Sequence, residues 1–122
     1  MNILGIGIAA NEKPFFLQRL EKILAGGWLA FIEPEGITME KVHRAGLVIV
    51  NSDDPQNTLG ILVCIRRHSA SVPIIVISRD RGSQAIALTT AADDYIIKPF
   101  GYELFVAKVE AVHRRYVDKR PK

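Results

Sequence analysis

The stretches VPIIVIS (72–78) and AADDYIIKPF (91–100), with RDRGSQAIALTT between them, decide how this chain folds. Val72 to Ile77 and Tyr95 to Ile97 are short runs rich in branched residues, and such runs, uninterrupted by polar positions, read as strands covered on both faces. Between them, Ser83 to Ala92 is alanine-rich and reads as a helix. Strand, helix, strand in that order is a crossover unit, which parallel strands require because no tight turn can join them.

Outward from this unit the alternation continues in both directions. Upstream, Leu47 to Val50 is another branched run, followed by a helical stretch from Asn57 to His68. Before it come an apolar run at Trp28 to Ile32 and a short, weakly patterned helix at Met39 to Ala45. The chain begins with the run Ile3 to Ile8, after which Phe16, Leu17, Leu20, Ile23 and Leu24 recur at helical spacing until Gly26-Gly27 stops them. Pro14 fits the first turn of that helix, with Asn11 as its expected cap. Downstream, Phe105, Val109, Val112 and Tyr116 form the stripe of a closing helix packed on a sheet. Five strands alternating with five helices predict an α/β, doubly wound, five-stranded parallel sheet.

At 122 residues and 48% hydrophobic content the chain suits one core, expected over residues 1–117, with 118–122 the start of a linker or tail. The formal net charge of +3 owes much to Arg114, Arg115, Lys119, Arg120 and Lys122, so the body carries no basic groove for nucleic acid. No apolar stretch approaches membrane-spanning length and no leader pattern opens the chain, which predicts a soluble cytoplasmic protein. Cys64 lies among Leu62, Val63 and Ile65 and reads as a buried thiol. His43, His68 and His113 fall on three different helices without ligand spacing, so no metal site is expected from them.

In a doubly wound sheet the site lies beyond the carboxyl ends of the strands. Those ends carry Ala9, Ala10, Asn11 and Glu12; then Asn51, Ser52, Asp53 and Asp54; then Ser78 and Arg79; and finally Lys98 and Pro99. With VPIIVIS, AADDYIIKPF and the following ELFVAKVEAVHRR, this arrangement resembles the receiver domains of response regulators in two-component phosphorelay signalling, a (βα)5 flavodoxin-like fold. The correspondence is nearly continuous from Leu47 to Arg115, while the first 45 residues agree in element order but poorly in motif.

The resemblance implies an acidic pair after the first strand and an aspartate ending the third, which hold magnesium, the aspartate also accepting a phosphoryl group. It implies a hydroxyl after the fourth strand and a lysine after the fifth, which contact the phosphoryl oxygens. Ser78 matches the hydroxyl, Lys98 the lysine, and Tyr95 the aromatic switch residue of the fifth strand; a cis Lys98-Pro99 bond is also implied. The acceptor position, however, falls on Asn51, and the acidic pair on Ala9-Ala10 or Ala10-Asn11. A carboxamide forms no acyl phosphate, and magnesium prefers carboxylate oxygens, so weak or absent magnesium binding and no phosphorylation at position 51 are expected. No other cofactor and no enzymatic activity are expected. Lys98, deprived of its usual partner, is expected to turn to the Asn51 carbonyl, Asp53 or Glu12.

Two other readings compete with this pseudo-receiver. In one, Asp53 or Asp54 is a relocated acceptor and Glu12 a metal ligand, although aspartates in front of a helix are also ordinary cap chemistry. In the other, Gly5-Ile6-Gly7-Ile8-Ala9-Ala10 and Glu33 bind a nucleotide or small molecule, although Pro14 would then lie inside the helix. The resemblance is strongest to receivers of OmpR-type transcription regulators. It implies a homodimer face on helix four, strand five and helix five, with Asp93, Asp94, Lys108 and Arg115 forming ion pairs. Leu104 departs from that pattern, standing where those regulators usually carry an acid. DNA would be reached only through a C-terminal effector domain beyond this chain, and the protein partner is not legible.

Overall fold

The chain, described by a computed structural model over residues 1–89 and 92–118, is built on one five-stranded parallel sheet of order β2-β1-β3-β4-β5. The strands are β1 (Ile3–Ile6), β2 (Leu29–Ile32), β3 (Leu47–Asn51), β4 (Ile74–Ser78) and β5 (Asp94–Ile97). Between and after them run α1 (Lys13–Leu24), α2 (Met39–Arg44), α3 (Pro55–His68), α4 (Arg81–Thr89) and α5 (Tyr102–Asp118), with a 3-10 turn at Pro34–Gly36. The expected doubly wound α/β architecture is the one observed.

Each central strand feeds two cores, because alternate side chains point to opposite faces. Leu4, Ile6, Val48, Val50, Ile74, Val76 and Tyr95 pack against Val42 of α2, Ile61, Leu62 and Ile65 of α3, and Ala87 of α4. Ile3, Leu47, Ile49, Ile75, Ile77 and Ile96 pack against Phe16 and Leu20 of α1 and Phe105, Val109 and Val112 of α5. The unbroken apolar runs thus have the physical origin expected of a sheet buried on both sides.

Several helix boundaries differ from the sequence expectation, two of them through capping. Pro14 does stand in the first turn of α1, but the N-cap is Glu12, with no side-chain cap bond, and not Asn11. The third helix starts at Pro55, two residues before Asn57, because Asp54 caps it by accepting from the Asn57 N–H at 3.0 Å. The fourth starts at Arg81, where the Asp80 carboxylate accepts from the Ser83 N–H at 2.9 Å. Its expected end at Ala92 fails, since Ala92 is non-helical; Thr90 and Ala91 lie outside the described residues, as do positions 119–122 of the expected tail. Cys64 is half-buried where full burial was expected.

Candidate functional site

The reversal of winding between β1 and β3 opens a crevice at the carboxyl ends of the strands, where ligands sit in open α/β sheets. Asn51, Ser78 and the segment after β5 come together there because β3, β4 and β5 are neighbours in parallel register, Asn51 opposite Ile77 and Ser78 opposite Ile97.

On the β1 side the crevice is closed by backbone. Asn51 donates from Nδ2 to the Gly7 carbonyl at 2.9 Å, while its Oδ1 is buried and accepts no bond among the described residues. Gly7 has φ +74°, and a Cβ there would stand 2.6 Å from the Asn51 carbonyl oxygen, so only glycine permits this approach. The glycine-rich loop is therefore spent on position 51. Moreover, α1 begins at Lys13, well past the second glycine, so the loop lacks the helix terminus that a dinucleotide pyrophosphate requires.

Asn51 with Ala9-Ala10 or with Ala10-Asn11 supplies one or two neutral side-chain oxygens and no charge, a donor set that does not fit magnesium. Among the described residues no three His, Cys, Asp or Glu side chains are grouped closely enough to hold a metal ion. Glu12 instead lines a recess of about 300 Å³ with Asn11, Phe15, Arg79, Lys98, Pro99 and Phe100.

On the β4 and β5 side the polar groups are bonded to one another. Lys98, whose side chain is 9% exposed, places Nζ 3.7 Å from Asp53 Oδ1, the second of the three partners named for it. The same oxygen accepts from the Arg79 N–H at 2.8 Å. Asp53 therefore does not cap α3; Asp54 alone does. Lys98-Pro99 is cis. Ser78, fully buried, accepts on Oγ from the Asp80 N–H at 3.0 Å. Tyr95 is buried and its hydroxyl donates to the Asp80 carbonyl at 2.7 Å. Burial pushes the Tyr95 phenol above its ordinary range; a hydrogen bond with Ser78 works against the rise, and the charges of Asp80 and Asp53 add to it.

Asp80 is the residue the sequence reading missed, although it joins Ser78, Tyr95 and the start of α4. Its spacing of three before Ser83 was the available signal, since that is capping distance. A second missed pair, Thr58 and Ser83, is fully buried, with the hydroxyls 3.1 Å apart between α3 and α4.

Of the expected dimer face, Asp93, Asp94 and Lys108 are engaged within the chain. Lys108 Nζ lies 2.9 Å from Asp94 Oδ1. Asp93 accepts from the Ile74 N–H at 2.8 Å and stands 3.7 Å from Arg66. Arg115 is exposed on α5, as are Leu104 on the same helix and Ile97 on the edge strand.

No family model matches the chain. It is 47% identical over 53 residues to the transcriptional regulatory protein YxdJ of Bacillus subtilis, covering 42% of this chain and 23% of that protein. It is 33% identical over 88 residues to the response regulator ArlR of Staphylococcus aureus, covering 70% of this chain and 40% of ArlR. The chain thus spans less than half the length of these curated relatives. Among solved structures, HP1043, an orphan response regulator of H. pylori, is similar with a TM-score of 0.74 at 25% identity, over 93% of this chain and 97% of that one. An atypical orphan response regulator with a phosphorylation-independent regulatory mechanism is similar with a TM-score of 0.71 at 25% identity, over 93% and 96%.

Sheet order, crevice and relatives define the class, a receiver fold of two-component signal transduction. The chain has that fold and is similar to response regulators, and its third strand ends in Asn51. Among the described residues no helix is long and apolar enough to cross a membrane.

Proposed function

We propose that this receiver signals without aspartyl phosphorylation, as a non-enzymatic, cytoplasmic interaction module forming the N-terminal regulatory part of a DNA-binding transcription regulator. The observation that carries the reading is the state of position 51, a neutral carboxamide tied to the Gly7 carbonyl, while Lys98 faces Asp53. A carboxamide gives no acyl phosphate, and without clustered carboxylates no ion offsets charge on a transferring phosphoryl group. The phosphorylation-independent mechanism described for one structural relative supports the same reading.

Output then depends on protein contacts. We assign these to a homodimer through α4, β5 and α5, where Ile97 and Leu104 expose apolar surface beside Asp93, Asp94, Lys108 and Arg115. The pairing of Lys98 with Asp53 favours a second reading, in which Asp53 is a relocated acceptor; Asp54 is occupied by its cap.

An amide NMR titration with magnesium, then beryllofluoride, followed by intact mass after acetyl phosphate, tests the proposal. No saturable shifts at Asn51, Ser78 and Lys98 and no adduct are expected; a magnesium-dependent adduct would establish the second reading instead. Light scattering on the Lys108→Glu variant, expected to be monomeric where the parent is dimeric, tests the face.

A further inference from the structure

We infer that Asp53 is a built-in counter-anion that holds the loop between β4 and α4 in one conformation, an inference resting on the phosphorylation-independent reading of the crevice. One oxygen, Asp53 Oδ1, faces donors from two strand ends, the Arg79 N–H at 2.8 Å and the Lys98 ammonium at 3.7 Å. The Lys98 side chain is 9% exposed, and an ammonium so far removed from water needs an opposing charge. Position 51, being neutral, offers none. Asp53 supplies the charge from a half-exposed position on the rim.

Its second bond reaches the switch. From Arg79 the loop continues into Asp80, whose N–H donates to Ser78 Oγ and whose carbonyl accepts from the Tyr95 hydroxyl. The Asp80 carboxylate caps α4 at Ser83, and Ser83 meets Thr58 of α3. Ser78, Tyr95 and the start of α4 therefore belong to one bonded assembly, which Asp53 ties to the segment after β3 at Arg79. The Lys98 ammonium and the Arg79 N–H, the donors a mobile anion would use, are already engaged by a residue of the chain.

This arrangement predicts an acquired anion site. In Asp53→Ala, hydrogen exchange at the Arg79 amide is expected to become about tenfold faster, the scale set by losing one charge-assisted hydrogen bond. Millimolar acetate or inorganic phosphate is expected to slow it again with saturable shifts. The same anions should leave the parent protein unshifted and should fail to rescue the Asp53→Ala/Lys98→Met double variant. Asp53 is half-exposed, so the single variant is expected to fold, and its amide spectrum checks this.

Unchanged Arg79 exchange in Asp53→Ala would overturn the counter-anion role. So would anion binding to the parent as tight as to the variant. Intact mass after acetyl phosphate separates this failure from that of the underlying reading: an adduct on the parent overturns the phosphorylation-independent reading, whereas unchanged exchange in an adduct-free protein overturns only the role of Asp53.

Discussion

The two sides of the crevice have diverged in opposite senses. On the β1 side, Ala9-Ala10 or Ala10-Asn11 holds the place where the resemblance implies an acidic pair, and Gly7 presses its backbone against Asn51. On the β4 and β5 side, Ser78, Tyr95 and Lys98 remain and are joined by Asp53, Arg79 and Asp80 into bonded contacts. The comparison teaches that chemistry and conformation are separable in this fold. Metal and phosphoryl chemistry needs charge converging on a point, and neutral residues there are expected to weaken it. A conformational switch needs only that a few polar groups have partners, and partners can be supplied from within the chain.

Substitutions on each side sharpen the contrast, and Gly7→Ala should have the largest effect. It forces a side chain into positive φ and toward the Asn51 carbonyl, so a loss of about 3 kcal/mol in urea unfolding is expected. A loss below about 1 kcal/mol would mean that the β1 loop is not pressed on β3 as described.

Asn51→Asp comes next. The carboxylate loses the donor to Gly7 and sets an oxygen against the carbonyl, for an expected cost of about 2 kcal/mol at neutral pH. The cost should shrink on acidification, because a carboxyl whose folded pKa is raised destabilises only as pH climbs above its unfolded value. Magnesium shifts should stay absent in this variant and return only when Ala9→Asp and Ala10→Asp, or Ala10→Asp and Asn11→Asp, accompany it. Saturable magnesium binding by the single variant would break the contrast between the two sides.

Tyr95→Phe, on the other side, removes the bond to the Asp80 carbonyl and should cost about 1 kcal/mol at neutral pH. It should also change the alkaline limb of the stability profile. The folded-state phenol is pushed upward, so its contribution is complete below the ordinary tyrosine pKa of about 10 and is lost as pH rises through the folded value. The parent should therefore lose stability above that pH more steeply than Tyr95→Phe, and equal slopes would mean that the ring is not held inside.

Glu40→Ala, remote from both sides, sets the lower bound. Its pair with Arg44 is exposed on both partners, and the change in unfolding free energy should stay below about 0.5 kcal/mol.

Much of this protein was legible before its structure. The runs Leu47–Val50 and Val72–Ile77 read as doubly covered strands because burial on both faces demands apolar residues at every position, a constraint that depends on no particular partner. The placement of Asn51, Ser78 and Lys98 at strand ends followed from the same order of elements, whereas Tyr95 was singled out only by the resemblance to receiver domains. Helix starts were less legible. Asn11, Asp53, Asp54 and Asp80 are all competent caps by type, and the choice among them rests on which side chain has a better bond elsewhere.

The sequence by itself determined the alternation of strand and helix, the shared core and a neutral asparagine at the end of the third strand, since these depend on residue type and period. Only the tertiary structure decided that Lys98 turns to Asp53, that Asp80 joins Ser78 to Tyr95, and that Gly7 meets Asn51. The Lys98 contact with Asp53, the Asp80 contact with Tyr95 and the Gly7 contact with Asn51 join segments distant in the chain, and their geometry is set by the register of neighbouring strands that carry or flank the bonded residues.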